Sequence, residues 1–423
     1  MNPRELLLDS FRAALSAADP LAIVPKHLPR PPRGRTLVVG AGKAAASMAR
    51  AVEEHWPEGS ALEGVVITRY GHGLPLSRIR VVEAGHPVPD AQGESAAREI
   101  LELARALTPD DLMLVLVSGG GSSLLSLPVE AVPMEELKSV TRMLLASGAP
   151  IQDMNVVRKH LSRIQGGRLA ACTRARVLAL VISDVTGDDP THIASGPCTP
   201  DPTTYADALD VLARYGVTPP PAVGAHLQRG AKGEIPETPK PGDPSLAHAE
   251  TRVIATAHAS LASAAAFVQH RGIAPMVLGD SVTGESSEVA KVYAALARQI
   301  RQHSHPLRPP VALISGGETT VTLRGKGRGG RCTEFLLSLA VALEGLADTW
   351  ALACDTDGID GSEDNAGAIL TPDALARARA ARLEPKRLLA DNDGYGFFSA
   401  LGDLVVTGPT RTNVNDFRVI LVR

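Results

Sequence analysis

The chain has 423 residues, 44% hydrophobic and 21% charged, with a formal net charge of −3. That length exceeds one ordinary domain and leaves room for large cores, so two or three domains are expected. Near-neutral charge, 3% aromatic residues and the lack of any uncharged apolar run approaching about 18 residues argue against a nucleic-acid surface and a membrane span.

The opening segment MNPRELLLDSFRAALSAADP intersperses Arg4, Glu5, Asp9 and Arg12 among apolar residues. It predicts an amphipathic helix and not a signal peptide. Short Val/Ile/Leu runs follow, alternating with Ala-rich helical stretches: TLVVGAG (36–42), EGVVITRY (63–70), IRVVEAG (79–85), LMLVLVSGG (112–120) and RVLALVISD (176–184). Continuous apolar runs of this kind suit strands covered on both faces, so this part reads as α/β with a mainly parallel sheet. Further strands are expected at TRVIATA (251–257), APMVLGD (274–280), PVALISGG, WALACDTDG (350–358), DLVVTG (403–408) and FRVILVR (417–423). Residues 216–249 are rich in proline and poor in apolar periodicity, which places the expected boundary near 240: one domain over 1–240, a second over 241–423. Cys172, Cys198, Cys332 and Cys354 lack zinc-ligand spacing, so reduced thiols and a cytoplasmic location are expected.

Several loops carry candidate chemistry. GAGKAAASMA (40–49) follows a strand and opens a helix, with Gly42 at the turn and Lys43 placed as a phosphate ligand. A solvated helix-start lysine is the ordinary alternative. The same residues scan as G-x-G-x-x-A, a dinucleotide fingerprint, but the next strand ends without the acid a ribose needs. The loop VSGGGSSLLSL (117–127) offers Ser118, Gly119, Gly120, Gly121, Ser122 and Ser123, a run of amides and hydroxyls suited to wrapping phosphate. Its echo, ISGGETT, presents Gly316, Gly317 and Glu318 after a second strand.

In NVVRKHLSRIQGGRLA (155–170), Asn155, Arg158 or Lys159, and Ser162 or Arg163 share one helix face, either a solvated basic face or an anion site. Asp184 and Asp188 sit at a strand end in ISDVTGDDPTHIASGP, with Asp189 and His192 beyond, where carboxylates suit Mg²⁺ or a general base. Glycines surround Lys326, Arg328 and Arg331, as in a mobile lid that closes on phosphates. Asp355 and Asp357 could hold Mg²⁺ or a sugar hydroxyl, although the EF-hand pattern fails there, and His86 in GHPVPD is a weak candidate. Glycine loops, cations and strand-end carboxylates together suit phosphoryl transfer, which is mostly positioning and charge neutralisation.

The ordered set VVGAGKAA, GHPVPD, VSGGGSSLL, NVVRKHLSRIQGGRLA, SDVTGDDPTHIASGP, SGGETTVT, GRGGRCTEF, DTDGIDG and TNVNDF resembles the MOFRL-type (class II) glycerate kinases over nearly the whole chain. The resemblance implies a Rossmann-like N-terminal domain, a C-terminal α/β MOFRL-type domain and a site in the interdomain cleft. It also implies ATP, Mg²⁺ and transfer to the 2-hydroxyl of D-glycerate, giving 2-phosphoglycerate and ADP. Lys43 falls on the family's lysine after the first strand and Arg331 on the arginine of its glycine-rich loop, both expected at the active site. Where the family usually reads G-G-R-N-Q-E, this chain has Cys332 and Thr333.

The mechanism so implied uses the Ser118–Ser123 loop for the ATP phosphates, with Lys43 and Arg331 neutralising charge. Asp184 or Asp188 takes the hydroxyl proton or holds metal together with Asp357, and Arg158 or Lys159, beside Asn155, pairs with the glycerate carboxylate. The alternative activity is an NAD(P)H-dependent hydroxypyruvate reductase, and a third reading is a non-catalytic sensor of nucleotide or sugar phosphate. Neither nucleic acid nor membrane is expected as partner, and a homodimer is left open.

Overall fold

The computed structural model describes residues 2–423. The chain divides into two compact units, one of residues 20–254 and one of residues 1–19 with 255–423.

The unit of residues 20–254 is built on β1 (Thr36–Ala41), β2 (Leu62–Arg69), β3 (Ile79–Ala84), β4 (Leu112–Val117), β5 (Arg176–Ile182) and β6 (Ala249–Ala255), in the order β3-β2-β1-β4-β5-β6. The β1–β2, β2–β3, β1–β4 and β4–β5 pairs are parallel, with Val39 opposite both Val65 and Val115. Every residue of β1 and β4 is buried, which explains the unbroken apolar runs. The core on one face joins Leu37, Val39, Val115, Val117 and Val177 to Ile100 and Leu101 of the helix Ala91–Arg105. A separate helical cluster packs the helices Met134–Ala146, Ile151–His160, Tyr205–Arg214 and Pro221–Ala231 around Leu137, Val140, Val157, Leu161, Tyr205 and Leu227.

The other unit has β7 (Ala274–Gly279), β8 (Val311–Ser315), β9 (Thr349–Asp355), β10 (Gly367–Leu370), β11 (Leu404–Val405) and β12 (Asp416–Val422), ordered β11-β10-β9-β12-β8-β7. This sheet is mixed. β7–β8 is parallel, while β12 runs antiparallel to both β8 and β9. The helix Pro3–Ser16 belongs here, burying Leu6, Leu7, Phe11 and Ala14 against Leu261, Ile314, Leu352 and Phe417. Among the described residues no helix is long and apolar enough to cross a membrane.

These units depart from the division expected at residue 240. Residues 1–19 pack with the C-terminal residues, and the strand expected to open the second domain is the edge strand beside β5. The proline-rich stretch is folded structure and not a linker: Pro221 opens a helix at its first turn, where no amide is needed. Beyond that helix, the Pro239 carbonyl accepts from Asp201 N, and Thr238 Oγ1 donates to Asp201 Oδ2 at 3.1 Å.

Candidate active site

The strand order reverses between β1 and β4, the position at which open α/β sheets bind ligands beyond their carboxyl ends. The loops leaving these two strands are tied to each other. Lys43 N donates to Gly119 O at 2.8 Å, and Ala44 N donates to Ser118 Oγ at 3.0 Å. Gly42 has φ +142°, and a Cβ there would lie 2.1 Å from Ser118 Oγ, so only glycine lets the loops approach this closely. A Cβ on Gly120 would meet the His86 ring at 2.9 Å and Lys43 Cγ at 3.5 Å, which puts both side chains beside the glycine loop. Among the described residues no acceptor engages the amides of Gly119, Gly120 and Ser122. They remain available to an anion.

From this loop a polar chain runs to the helix Ile151–His160. Ser122 Oγ lies 2.9 Å from Ser195 Oγ, and Ser195 Oγ donates to Asn155 Oδ1 at 3.0 Å. Asn155 Nδ2 donates to His192 O at 3.1 Å, and Arg158 Nη1 donates to Asn155 Oδ1 at 2.8 Å. Among the described residues no carboxylate pairs with Arg158. Burial alone pushes its guanidinium down to about 10. Its neighbour Lys159 is committed elsewhere: Nζ bonds Asp201 Oδ1 at 2.8 Å, with the two side chains 1% and 0% exposed. Burial opposes ionisation of Asp201, but Lys159 and the Lys159 and Thr203 hydrogen bonds hold its carboxyl below the usual range.

In the other unit Arg331 is saturated by carboxylates. Nε bonds Asp416 Oδ1 at 2.7 Å, Nη2 bonds Asp355 Oδ2 at 2.8 Å and Nη1 bonds Glu318 Oε1 at 2.5 Å. Burial disfavours its charge, but the three acids outweigh burial and hold it well above the ordinary arginine value. Asp416 also pairs with the fully buried Arg418, whose Nη1 donates to Gly316 O at 2.8 Å and whose Nη2 donates to Thr319 Oγ1 at 3.0 Å. Arg418 thus holds the second Ser-Gly-Gly loop at its Gly316 carbonyl and Thr319 hydroxyl. The helix Arg331–Leu343 is capped from outside its own chain segment: Asp360 accepts from Cys332 N, Thr333 N and Thr333 Oγ1 at 2.7–2.9 Å.

Two family profiles match: one described as "Domain of unknown function (DUF4147)", over residues 6–228, and the MOFRL family, over residues 311–416. A D-glycerate 2-kinase of Thermotoga maritima is 38% identical, covering 99% of this chain and 98% of that protein. A glycerate 2-kinase of Pyrococcus horikoshii is 37% identical over 98% and 94%. The crystal structure of the Thermotoga maritima glycerate kinase superposes with a TM-score of 0.87 over 99% of each chain. This chain belongs to the MOFRL-type glycerate kinases. An Agrobacterium vitis protein named only provisionally as a hydroxypyruvate reductase is 50% identical over all of this chain and 95% of its own length.

In this glycerate kinase relative, Lys43, Gly42, Ser118–Ser123, Asn155 and Arg158 come together around the β1 and β4 ends. Lys159, expected as a substrate ligand, does not join them, because the buried Asp201 holds it. Asp184 lies two residues beyond β5, and Asp188 on the same loop has φ +54°. Asp357 belongs to the other unit, where its Oδ1 accepts from Ile359 N at 2.9 Å. Among the described residues no three His, Cys, Asp or Glu side chains form a cation-holding group. A metal held here would therefore draw further ligands from phosphate oxygens and water, as Mg²⁺ commonly does. Gly316, Gly317 and Glu318 are joined to the Arg418 and Arg331 ion pairs. In the Cys332-Thr333 departure the Thr333 hydroxyl adds a 2.7 Å bond to Asp360, beside backbone amides that any residue pair would supply. Ser195, Asp416 and Arg418 were missed. Asp416 stood inside the quoted TNVNDF motif, but nothing in sequence spacing ties it to Arg331, 85 positions away.

Proposed function

We propose that this chain transfers the γ-phosphoryl group of ATP to the 2-hydroxyl of D-glycerate, giving 2-phosphoglycerate and ADP. The observation that carries this reading is Arg158, a desolvated guanidinium fixed by Asn155 and left without a carboxylate. An arginine kept in that state costs stability, and an incoming carboxylate offsets the cost with paired, charge-assisted hydrogen bonds. Lys43 and the open amides of Gly119, Gly120 and Ser122 suit the phosphates at the switch point. Asp184 or Asp188 takes the proton of the attacking hydroxyl. Mg²⁺, when bound with the nucleotide, neutralises phosphate charge, and the Asp184–Asp188 loop is the protein's contribution to holding it. Arg331 already has three acidic partners. Glu318, whose side chain is 54% exposed, is the one a phosphoryl group would displace.

The reductase reading has a specific obstacle. The Lys43 and Ala44 amides that a dinucleotide fingerprint would offer to a pyrophosphate already donate to Gly119 O and Ser118 Oγ.

A product assay tests the proposal. The protein is incubated with D-glycerate and Mg·ATP, and enolase is added without phosphoglycerate mutase. Phosphoenolpyruvate is the expected product. ADP formation with phosphoenolpyruvate appearing only after mutase is added would move the transfer to the 3-hydroxyl. Hydroxypyruvate-dependent NAD(P)H oxidation without ADP would overturn the kinase.

A further inference from the structure

The glycine-rich segment before Arg331, expected as a mobile lid, is docked along its backbone onto one turn. Asn392 Oδ1 accepts from Arg324 N at 2.7 Å and Gly325 N at 3.1 Å. Asp391 Oδ1 accepts from Lys326 N at 3.0 Å, and Asp391 O accepts from Gly327 N at 2.8 Å. Asp393 Oδ1 accepts from Arg328 N at 3.1 Å, and Tyr395 N returns a bond to Arg328 O at 2.9 Å. Five consecutive amides are thereby taken by three consecutive residues. The glycines serve this contact. A Cβ on Gly325 would lie 2.3 Å from Asp391 O, although its φ is outside the left-handed region.

Asn392 has a second task. Its Nδ2 donates to Thr322 O and to Glu334 Oε1, each at 3.3 Å, joining the loop to the first turn of the helix that Arg331 opens. Glu334 is 5% exposed, and among the described residues Asn392 is the one hydrogen-bond partner of its carboxyl. The loop side chains stay outside this grip, with Arg324 and Lys326 exposed and Arg328 over the Tyr395 ring at 4.6 Å.

We propose that the Asp391–Asn392–Asp393 turn is a positioning element for the phosphoryl-transfer site. Asn392 acts as a two-sided clasp between the loop backbone and Glu334. It fixes where the loop presents its cations and how the chain enters Arg331. The docking stands on its own geometry, and only its effect on turnover rests on the kinase reading.

The test reverses the clasp's polarity. In Asn392→Asp the carboxylate still accepts from the loop amides but cannot donate to Glu334, and assayed at about pH 9, where Glu334 is ionised, it faces a second charge. Adding Glu334→Gln supplies the donor from the other side. Native-state trypsin cleavage after Arg324, Lys326 and Arg328, identified by fragment mass, reads docking whether or not the protein has any activity. Steady-state kinetics read positioning.

Asn392→Asp should speed cleavage at these sites about tenfold or more through a larger open population. It should lower kcat by about tenfold or more through misplacement, with the protein still cooperatively folded at the assay temperature. Asn392→Asp/Glu334→Gln should recover most of both losses. Gly325→Ala, which leaves Asn392 and Glu334 unchanged but drives a Cβ against Asp391 O and Oδ1, should undock the loop and lower kcat in the same way. Unchanged cleavage in both Asn392→Asp and Gly325→Ala, a double variant no better than Asn392→Asp, or faster cleavage at full kcat would each overturn the proposal. A wild-type protein without glycerate phosphorylation would defeat the kinase reading, while the cleavage pattern would still decide the docking.

Discussion

Arg158 allows a prediction in which stability and function move in opposite directions. Arg158→Met keeps the length and apolar stem of the side chain and removes the guanidinium. The folded protein holds this group at about 10, well below the ordinary arginine value, with burial as the cause. That depression corresponds to roughly 3 kcal/mol of unfavourable desolvation at neutral pH, which partial exposure reduces to about 1–2 kcal/mol. The sign follows because the charged form is the disfavoured one and persists at every pH below about 10. Asn155 Oδ1 loses one donor but keeps Ser195 Oγ, so no orphaned acceptor offsets the gain. Thermal denaturation should show the variant as stable as wild type or more so, by up to about 4 °C. Two charge-assisted hydrogen bonds to a carboxylate are worth about 3 kcal/mol together, so the KM for D-glycerate should rise about 100-fold or more while the KM for ATP barely moves. A marked fall in melting temperature would show that Arg158 has a structural partner. An unchanged glycerate KM would remove it from the substrate site.

Lys159→Met should behave oppositely to its neighbour, destabilising the fold by about 3–5 kcal/mol in urea titration because Asp201 is left buried and unpaired. Lys159→Met/Asp201→Asn should recover most of that loss, and no recovery would refute the pairing argument. Glu334→Gln should alter the pH profile of stability. Burial raises the Glu334 carboxyl to about 7 from 4.5, against the Asn392 hydrogen bond. The wild type therefore keeps its full contribution below about pH 4.5 and loses up to roughly 3 kcal/mol as pH rises through about 7. The Gln variant should gain on wild type across that window and run parallel above it. Parallel melting-temperature curves from pH 4 to 8 would refute the burial of an ionising carboxyl.

Eleven of the twelve strands among the described residues were legible, most of them as apolar runs that suit strands covered on both faces, but β10 (Gly367–Leu370), four residues behind a turn-rich acidic stretch, was not. The loops carrying Gly42, Ser118 and Gly316 were legible because glycine and hydroxyl clusters at strand ends constrain the local backbone. Periodicity placed Arg158 and Lys159 on one helix but could not divide their roles. That division depended on Asp201, 42 residues on, reaching Lys159 and no carboxylate reaching Arg158. The proline-rich segment misled for a related reason. Composition reports local stiffness, whereas the packing of Thr238 and Pro239 against Asp201 is decided at a distance.

The sequence by itself determined the α/β class, the strand-end glycine loops, the candidate cations and, through its ordered motifs, the family. Only the tertiary structure decided that the N-terminal helix packs with the C-terminal residues, that Arg331 is ringed by Glu318, Asp355 and Asp416, and that the glycine-rich loop is docked on residues 391–393. Local pattern fixes what a segment can be, because backbone sterics and burial act over a few residues. Charge pairing and hydrogen-bond satisfaction act between groups that meet only when the chain has folded, and those meetings turned a row of candidate residues into one unpaired arginine, one saturated arginine and one structural lysine.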